Sequence, residues 1–112
     1  MNTAALRVIH RSDPTPAGFV RVYVGRPSAL GNPFPITATS TRAQVIERFR
    51  DHATAALASP DHPLTRALAS LRARLDAGER LALECYCAPL PCHADVLAEL
   101  LARSSEHTTP TV

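Results

Sequence analysis

The side chains best suited to nucleophilic or metal chemistry are crowded into one short segment, at Cys85, Cys87, Cys92 and His93. Pro91 precedes Cys92 and Asp95 follows it by three residues, a spacing typical of the start of a helix. Unpaired backbone amides and the helix dipole would lower the pKa of the Cys92 thiol there, or hold a phosphate or carboxylate. We therefore predict Cys92 as a thiolate nucleophile and His93 as a general acid or base. Asp95 would orient an imidazole or cap the helix.

Each of these residues also has an ordinary structural explanation. A free cysteine at a helix start is commonly a small buried hydrophobe, so Cys92 could be inert. His93 could pack against the end of the helix, and Asp95 could serve only to stabilise the helix dipole. The sequence leaves these alternatives open.

The same segment also contains a complete set of zinc ligands, because Cys85, Cys87, Cys92 and His93 would form a Cys₃His shell. The spacing argues against a zinc or iron–sulfur site, since structural zinc ligands usually lie two to four residues apart in each of two pairs. Cys92 and His93 are adjacent, and Cys85 and Cys87 would share one face of a strand. The sequence requires no cofactor, and a zinc site remains the alternative.

A second segment, residues 24–34, combines glycine, proline, arginine and asparagine in a pattern that fits no regular element. Arg26 has a side chain suited to bidentate recognition of phosphate or carboxylate. Arg42 is predicted at the start of a helix, where its charge opposes the dipole, so it indicates an anionic partner. The candidate residues for binding a small anionic ligand are Gly25, Arg26, Ser28, Gly31, Asn32 and Arg42.

Regular elements must position these two segments. Apolar periodicity predicts strands over residues 5–10, 19–25 and 80–86. It predicts helices over residues 41–58, 63–77 and 92–103, the first capped by Ser40 or Thr41. Each helix has one apolar stripe that we expect to be buried: Val45, Ile46, Phe49, Ala53, Ala56 and Leu57 on the first; Leu64, Leu68, Leu71 and Leu75 on the second; and Val96, Leu97, Leu100 and Leu101 on the third. Within the second strand, Val20, Val22 and Val24 would face the core. The order β-β-α-α-β-α predicts a small single α/β domain, with a Rossmann-like or three-layer arrangement around a short sheet.

We expect this domain to span residues 1–103 and to be followed by a disordered tail over residues 104–112. Ligands bind at the carboxyl ends of parallel strands in open α/β sheets. If the second and third strands run parallel, both segments follow such ends and face one crevice.

Composition excludes several functions. All 12 cationic side chains are arginine, so no lysine is present for Schiff-base chemistry or for a Walker-type phosphate loop. The net charge of +2 gives no indication of nucleic-acid binding. The apolar runs are too short for a membrane span, and we expect no signal peptide. An odd count of 3 closely spaced cysteines indicates a reducing cytoplasm.

The motifs Gly25-Arg26-Pro27-Ser28, Gly31-Asn32-Pro33-Phe34 and Cys85-Tyr86-Cys87 with Cys92-His93 resemble a known family, domain of unknown function 4326. Its members are small proteins common in phages and actinobacteria, and the resemblance covers roughly residues 19–101. A glycine often follows the cysteine–histidine pair in that family, whereas this chain has Ala94. The resemblance implies no particular activity.

We expect a small cytosolic protein that binds or acts on a nucleotide, nucleoside or other phosphate-bearing small molecule. The ligand would occupy the crevice between the two segments, and the protein would be an enzyme or a degenerate enzyme. One alternative is a Cys₃His metal-binding module. The other is a non-catalytic phage or bacterial accessory protein whose motif residues serve only the fold. The sequence does not indicate an oligomeric state.

Overall fold

The computed structural model describes residues 5–88 and 90–107 of the chain. Its strands are β1 (Leu6–His10), β2 (Val20–Tyr23) and β3 (Leu81–Cys85). Its helices are α1 (Arg42–Ala56), α2 (Pro63–Asp76) and α3 (His93–His107). The chain forms a small mixed α/β domain, and the predicted order β-β-α-α-β-α is confirmed. None of the helices in this described part is long and apolar enough to cross a membrane.

The sheet has β3 at its centre, in the order β1-β3-β2, and both neighbours run parallel to β3. Leu81 is therefore in register with Leu6 on one side and with Val20 on the other. The parallel pairing expected of the second and third strands is confirmed. Consequently, the segments that follow β2 and β3 both begin at the carboxyl end of the parallel strands.

The main core lies on the sheet face that carries Leu81 and Leu83, which are fully buried. Helix α3 contacts β1 and β3 as well as α1 and α2, so it is the central helix of the domain. Its predicted buried stripe is confirmed at Val96, Leu97, Leu100 and Leu101. On α2, the predicted positions Leu64, Leu68 and Leu71 are buried, and Leu75 packs partly buried against the core.

The helix ends follow the local sequence signals. Thr41 caps α1 in a capping box, in which its hydroxyl accepts from the Gln44 amide and the Gln44 side chain accepts from the Thr41 amide. Pro63 occupies the first turn of α2, where its missing amide hydrogen has no intrahelical partner to lose. Gly78 follows α2 with a φ of 94°, a left-handed conformation that glycine adopts without steric cost.

Three details of the sequence prediction are corrected. Val20 is 40% exposed rather than buried, because it begins a short strand at the edge of the sheet, and Val22 is only half-buried. Leu57 is exposed because α1 ends at Ala56. Helix α3 continues to His107, past the predicted end at residue 103. The rest of the predicted tail, residues 108–112, lies outside the described residues.

Candidate functional site

A cavity of about 300 Å³ opens where β2 and β3 end. Both predicted segments contribute to its wall, together with the start of α1. It is lined by Gly25, Arg26, Asn32, Phe34, Pro35, Ile36, Arg42, Val45, Ile46, Cys85, Tyr86, Cys87, Cys92 and His93. The structure thus brings together six of the nine predicted site residues. Ser28, Gly31 and Asp95 do not line the cavity.

Two consecutive turns shape the first segment. The Ser28 amide donates to the Gly25 carbonyl at 2.9 Å, and the Gly31 amide donates to the Ser28 carbonyl at 3.0 Å. The Arg26–Pro27 peptide bond within the first turn is cis. A Cβ atom on Gly31 would lie 2.9 Å from the backbone nitrogen and Cα of Arg26. Gly31 therefore acts by letting the two backbone segments pack together, which sets the position of Arg26.

Tyr23 closes the other side of the Gly25 backbone. Its hydroxyl donates to the Arg26 carbonyl at 2.5 Å, and its ring lies where a Cβ on Gly25 would be. Gly25 is buried and lines the cavity, whereas the Arg26 side chain is exposed. This arrangement holds the Arg26 backbone from both sides and leaves its guanidinium free to meet a ligand.

Asn32 connects the first segment to α1. Its Oδ1 accepts from the Phe34 amide at 2.9 Å, and its Nδ2 donates to the Val45 carbonyl at 3.3 Å. These contacts are those of a turn asparagine, which was the structural alternative to ligand binding. Since Asn32 also lines the cavity, its amide reaches the ligand space from a fixed position.

Arg42 joins the start of α1 to the second segment. Its Nη1 donates to the carbonyl of Pro91 at 3.2 Å, directly before Cys92. Within the described ranges, neither Arg42 nor Arg26 forms an ion pair with a carboxylate. The cavity therefore has two arginine charges at its wall whose compensation could come from an anionic ligand.

Cys92 occupies the N-cap position, directly before the first residue of α3. Its amide donates to Asp95 Oδ2 at 3.0 Å, and the Asp95 amide donates to the Cys92 carbonyl at 3.0 Å. Asp95 therefore performs the capping role that the sequence offered as one of its two alternatives. This pair of contacts fixes the first turn of α3 and, with it, the positions of Cys92 and His93.

Cys92 and Cys85 form a thiol pair that the sequence did not predict. Their Sγ atoms lie 3.0 Å apart, and both side chains are buried. The hydrogen bond from Cys92 and the backbone amides of Ala88 and Cys87 lower the pKa of Cys85 to about 6, against the effect of burial. The hydrogen bond to Cys85 and burial raise the pKa of Cys92. The predicted lowering of the pKa at Cys92 is wrong, since its contact with Cys85 and its burial raise that pKa, and the lowered pKa of the pair is that of Cys85.

His93 is a buried, oriented imidazole. Its Nε2 lies 2.6 Å from the Val24 carbonyl, which can only accept, so Nε2 carries the proton. Its ring contacts Phe49 edge-on at 5.3 Å between centroids. Burial lowers the pKa of His93, and the charge of Arg26 lowers it further, while the contacts with Val24 and Asp95 oppose this. The neutral ring leaves Nδ1 as an acceptor, the form required of a general base.

The predicted metal alternative is not assembled. No three histidine, cysteine or acidic side chains among the described residues are grouped to hold a metal ion. Cys85 and Cys92 contact each other, while Nε2 of His93 is engaged by the Val24 carbonyl. The four residues of the Cys₃His set therefore do not converge on one point.

Comparison with known proteins gives one match. A family model described as Domain of unknown function (DUF4326) matches residues 9–103, which is most of the chain. The chain belongs to this family. No curated protein and no solved structure matches it. The match extends beyond the resemblance found in the sequence, and it includes β2, β3 and all residues that line the cavity.

Sequence reasoning missed the apolar part of this DUF4326 site. Phe34, Ile36, Val45 and Ile46 line the cavity beside the two arginines. Val45 and Ile46 were predicted as core residues because they belong to the apolar stripe of the helix. The stripe does not show which of its positions border a cavity. The phenylalanine of the Gly-Asn-Pro-Phe motif was the available signal.

Tyr86 was also missed, although it lies within the Cys-Tyr-Cys motif. It is 57% exposed and lines the cavity. Its hydroxyl accepts from Nη1 of Arg11 at 2.9 Å, and the Arg11 guanidinium lies over its ring. An exposed aromatic ring held in place at the mouth of a cavity can pack against a planar ligand group.

Ala94 takes the position where the family often has glycine. Its side chain is fully buried in the main core, and it does not line the cavity. The Cβ atom of this alanine therefore does not obstruct a ligand in the cavity.

Proposed function

We propose that this DUF4326 domain binds a nucleotide, a nucleoside or another phosphate-bearing small molecule in the cavity between its two motif segments. The observation that carries the proposal is the lining of the cavity, in which Arg26 and Arg42 lie beside an apolar and aromatic wall. Such a combination suits a ligand with an anionic group at one end and a planar, weakly polar group at the other.

The roles follow from the geometry around the cavity. Arg26 and Arg42 supply guanidinium donors for a phosphate, the chemistry for which arginine is best suited. Asn32 and the neutral His93 offer polar groups at fixed positions. Phe34 and Tyr86 supply aromatic surface for a base or another flat group.

Chemistry on the bound molecule would use the groups predicted at Cys92 and His93, with one change. We propose that Cys85 supplies the thiolate, with Cys92 as its proton-bearing partner, and that Nδ1 of His93 accepts a proton from the ligand. Asp95 acts through the helix cap that positions both. The free thiols also support our proposal of a cytoplasmic location.

Isothermal titration calorimetry with adenosine monophosphate, adenosine and inorganic phosphate tests the proposal. We expect the monophosphate to bind more tightly than either fragment. Arg26→Gln and Arg42→Gln should each weaken it by about tenfold or more, because each removes a charge-assisted hydrogen bond.

Arg66→Gln is the matched control, since Arg66 is exposed on α2 and does not line the cavity. It should leave the affinity unchanged. The proposal is wrong if none of the three compounds binds, or if the control variant weakens binding as much as the two cavity variants.

A further inference from the structure

We propose that Cys85 and Cys92 form a redox-active thiol pair, which a hydroperoxide entering the cavity converts into an intramolecular disulfide. The proposal goes beyond the binding of a phosphate-bearing ligand. It rests on the contact between two thiols at the wall of a cavity and on the elements that hold them there.

The two sulfur atoms are already close to bonding distance. They lie 3.0 Å apart, whereas a disulfide bond is about 2.05 Å long, so a shift of about 1 Å joins them. Cys85 is the last residue of β3, and Cys92 is fixed as the cap of α3 by Asp95. The pair is therefore preformed, because the two elements that carry the sulfur atoms already hold them in contact.

Access to the pair selects the oxidant. Both cysteines line the cavity, yet Cys85 is 1% exposed and Cys92 is 3% exposed. A bulky disulfide could not align with a sulfur atom so deeply placed. A hydroperoxide presents two oxygen atoms at its reactive end and can approach through a cavity of about 300 Å³.

The contacts of each sulfur indicate which cysteine attacks the peroxide and which then closes the disulfide. Cys85 accepts hydrogen bonds from Cys92 and from the amides of Ala88 and Cys87, which stabilise its thiolate. Within the described part of the chain, Cys92 accepts from only one backbone amide, that of Ala94, so we assign Cys92 as the donor within the pair. Cys85 is therefore the attacking residue and Cys92 the one that completes the disulfide.

The chemistry balances in two steps. The Cys85 thiolate attacks the terminal peroxide oxygen, so that an S–O bond forms and the O–O bond breaks, giving a sulfenic acid on Cys85. Hydroxide leaves from hydrogen peroxide, and an alkoxide leaves from an organic hydroperoxide. Cys92 then attacks the Cys85 sulfur, so that the S–S bond forms, the S–O bond breaks and water leaves with the thiol proton of Cys92. The two sulfurs lose two electrons in total, and the two peroxide oxygens gain them.

Cys87 provides the matched control. It is half-buried, lines the same cavity and lies two residues from Cys85. Among the described residues, its backbone amide donates to Cys85, but its thiol is not hydrogen-bonded to either sulfur of the pair. A reaction that depended only on exposure would favour Cys87, which is the most accessible of the three. A reaction that depends on the preformed contact leaves it unmodified.

The experiment treats the reduced full-length protein, without any ligand, with one equivalent of hydrogen peroxide. Free thiols are then counted after denaturation, and the linked peptides are identified by mass spectrometry. We expect the count to fall from 3 to one, with a Cys85–Cys92 linkage that dithiothreitol reverses. Cys87→Ser should still form the linkage, and Cys92→Ser should instead accumulate a sulfenic acid on Cys85 that dimedone traps.

Three results would overturn the proposal: all thiols remaining free, a linkage that involves Cys87, or a linkage between two chains. The peptide map of the peroxide-treated wild-type protein distinguishes these three results. The test therefore does not depend on whether a variant folds. Because no phosphate-bearing compound is present, the outcome is independent of the calorimetric test of ligand binding.

Discussion

Gly31 affects the site through one contact, the close approach of its backbone to the backbone of Arg26. A Cβ atom there would meet backbone atoms at 2.9 Å, and these atoms are themselves held by the turn from Gly25 to Ser28. At Gly25, by contrast, a Cβ atom would meet the Tyr23 ring, a side chain that is 37% exposed and can swing outward once its hydrogen bond to the Arg26 carbonyl breaks. An added side chain is therefore harder to accommodate at Gly31 than at Gly25.

We predict that Gly31→Ala lowers the free energy of unfolding by about 1–3 kcal/mol, the range typical of an overpacked site. Gly25→Ala should cost less, because only the hydrogen bond from Tyr23 to the Arg26 carbonyl has to break. Urea denaturation of both variants measures the difference. A larger loss in Gly25→Ala would contradict this account of the turn.

His93 and Cys85 give the folded domain a defined response to pH. The pKa of His93 is lowered by burial, so the unfolded chain takes up a proton first as the pH falls below 6.5. The pKa of Cys85 is lowered to about 6 from an ordinary value near 9, so the folded state releases this proton first as the pH rises. Both groups therefore make the domain more stable as the pH rises from about 5 to about 8.

We expect the free energy of unfolding, measured in urea with a reducing agent present, to increase over this interval. The charged groups that face His93 are Arg26 and Asp95. Cys85→Ala should flatten the curve between pH 6.5 and about 8 and leave the decline below pH 6.5. Stability that stayed constant or fell with rising pH would show that these groups are not held as described.

A single arginine adds side-chain contacts to the backbone pairing that holds strand β2 in the sheet. It has four residues, begins with the exposed Val20, and lies at an edge. On the face away from the main core, Nε of Arg21 donates to Glu84 Oε1 on β3 at 2.6 Å. Its Nη2 donates to the Arg11 carbonyl at 2.8 Å, and its Nη1 donates to Thr15. Arg21 therefore joins β2, β3 and the chain that crosses between β1 and β2.

Arg21→Met should lower the free energy of unfolding by about 1–3 kcal/mol, since it leaves a half-buried Glu84 without its charge partner. Arg66→Met is the control, because Arg66 is exposed on α2 and should change stability little. Chemical denaturation of the two variants provides the comparison. Equal losses would mean that Arg21 does not hold the edge strand.

The sequence predicted the elements better than the contacts between them. Helical periodicity placed Leu68 and Leu97 in the core, since one apolar stripe determines which side of a helix is buried. Alternation in β2 could not reveal that Val20 lies at a sheet edge, because edge position depends on strand order. The two motif segments were predicted to meet because both follow strands.

The contact of Cys85 with Cys92 could not be predicted. It depends on how α3 packs against the end of β3, which is a matter of tertiary packing. The spacing of the cysteines carries no such information. The direction of the pKa shift at Cys92 was wrong for the same reason, since it is determined by the neighbouring sulfur.

The domain as a whole is organised around α3. This helix packs against β1, β3, α1 and α2, and its first turn carries Cys92 and His93. Buried apolar residues from each of these elements belong to one cluster. Since the site and the core share this helix, we expect the cavity and the helices to unfold together rather than in stages.

Leu97→Ala tests this expectation. Leu97 is fully buried in the second turn of α3, so its truncation should cost about 2–5 kcal/mol through lost contacts and the cavity left behind. Leu57→Ala, at a position 39% exposed after α1, should cost far less.

The chain has 2 tyrosines and no tryptophan, so tyrosine fluorescence reports on Tyr23 and Tyr86 near the cavity while circular dichroism reports on the helices. Both signals should shift to lower urea concentration by the same amount in Leu97→Ala, because one core supports both regions. Separate transitions would show that the cavity end of the sheet unfolds independently of α3.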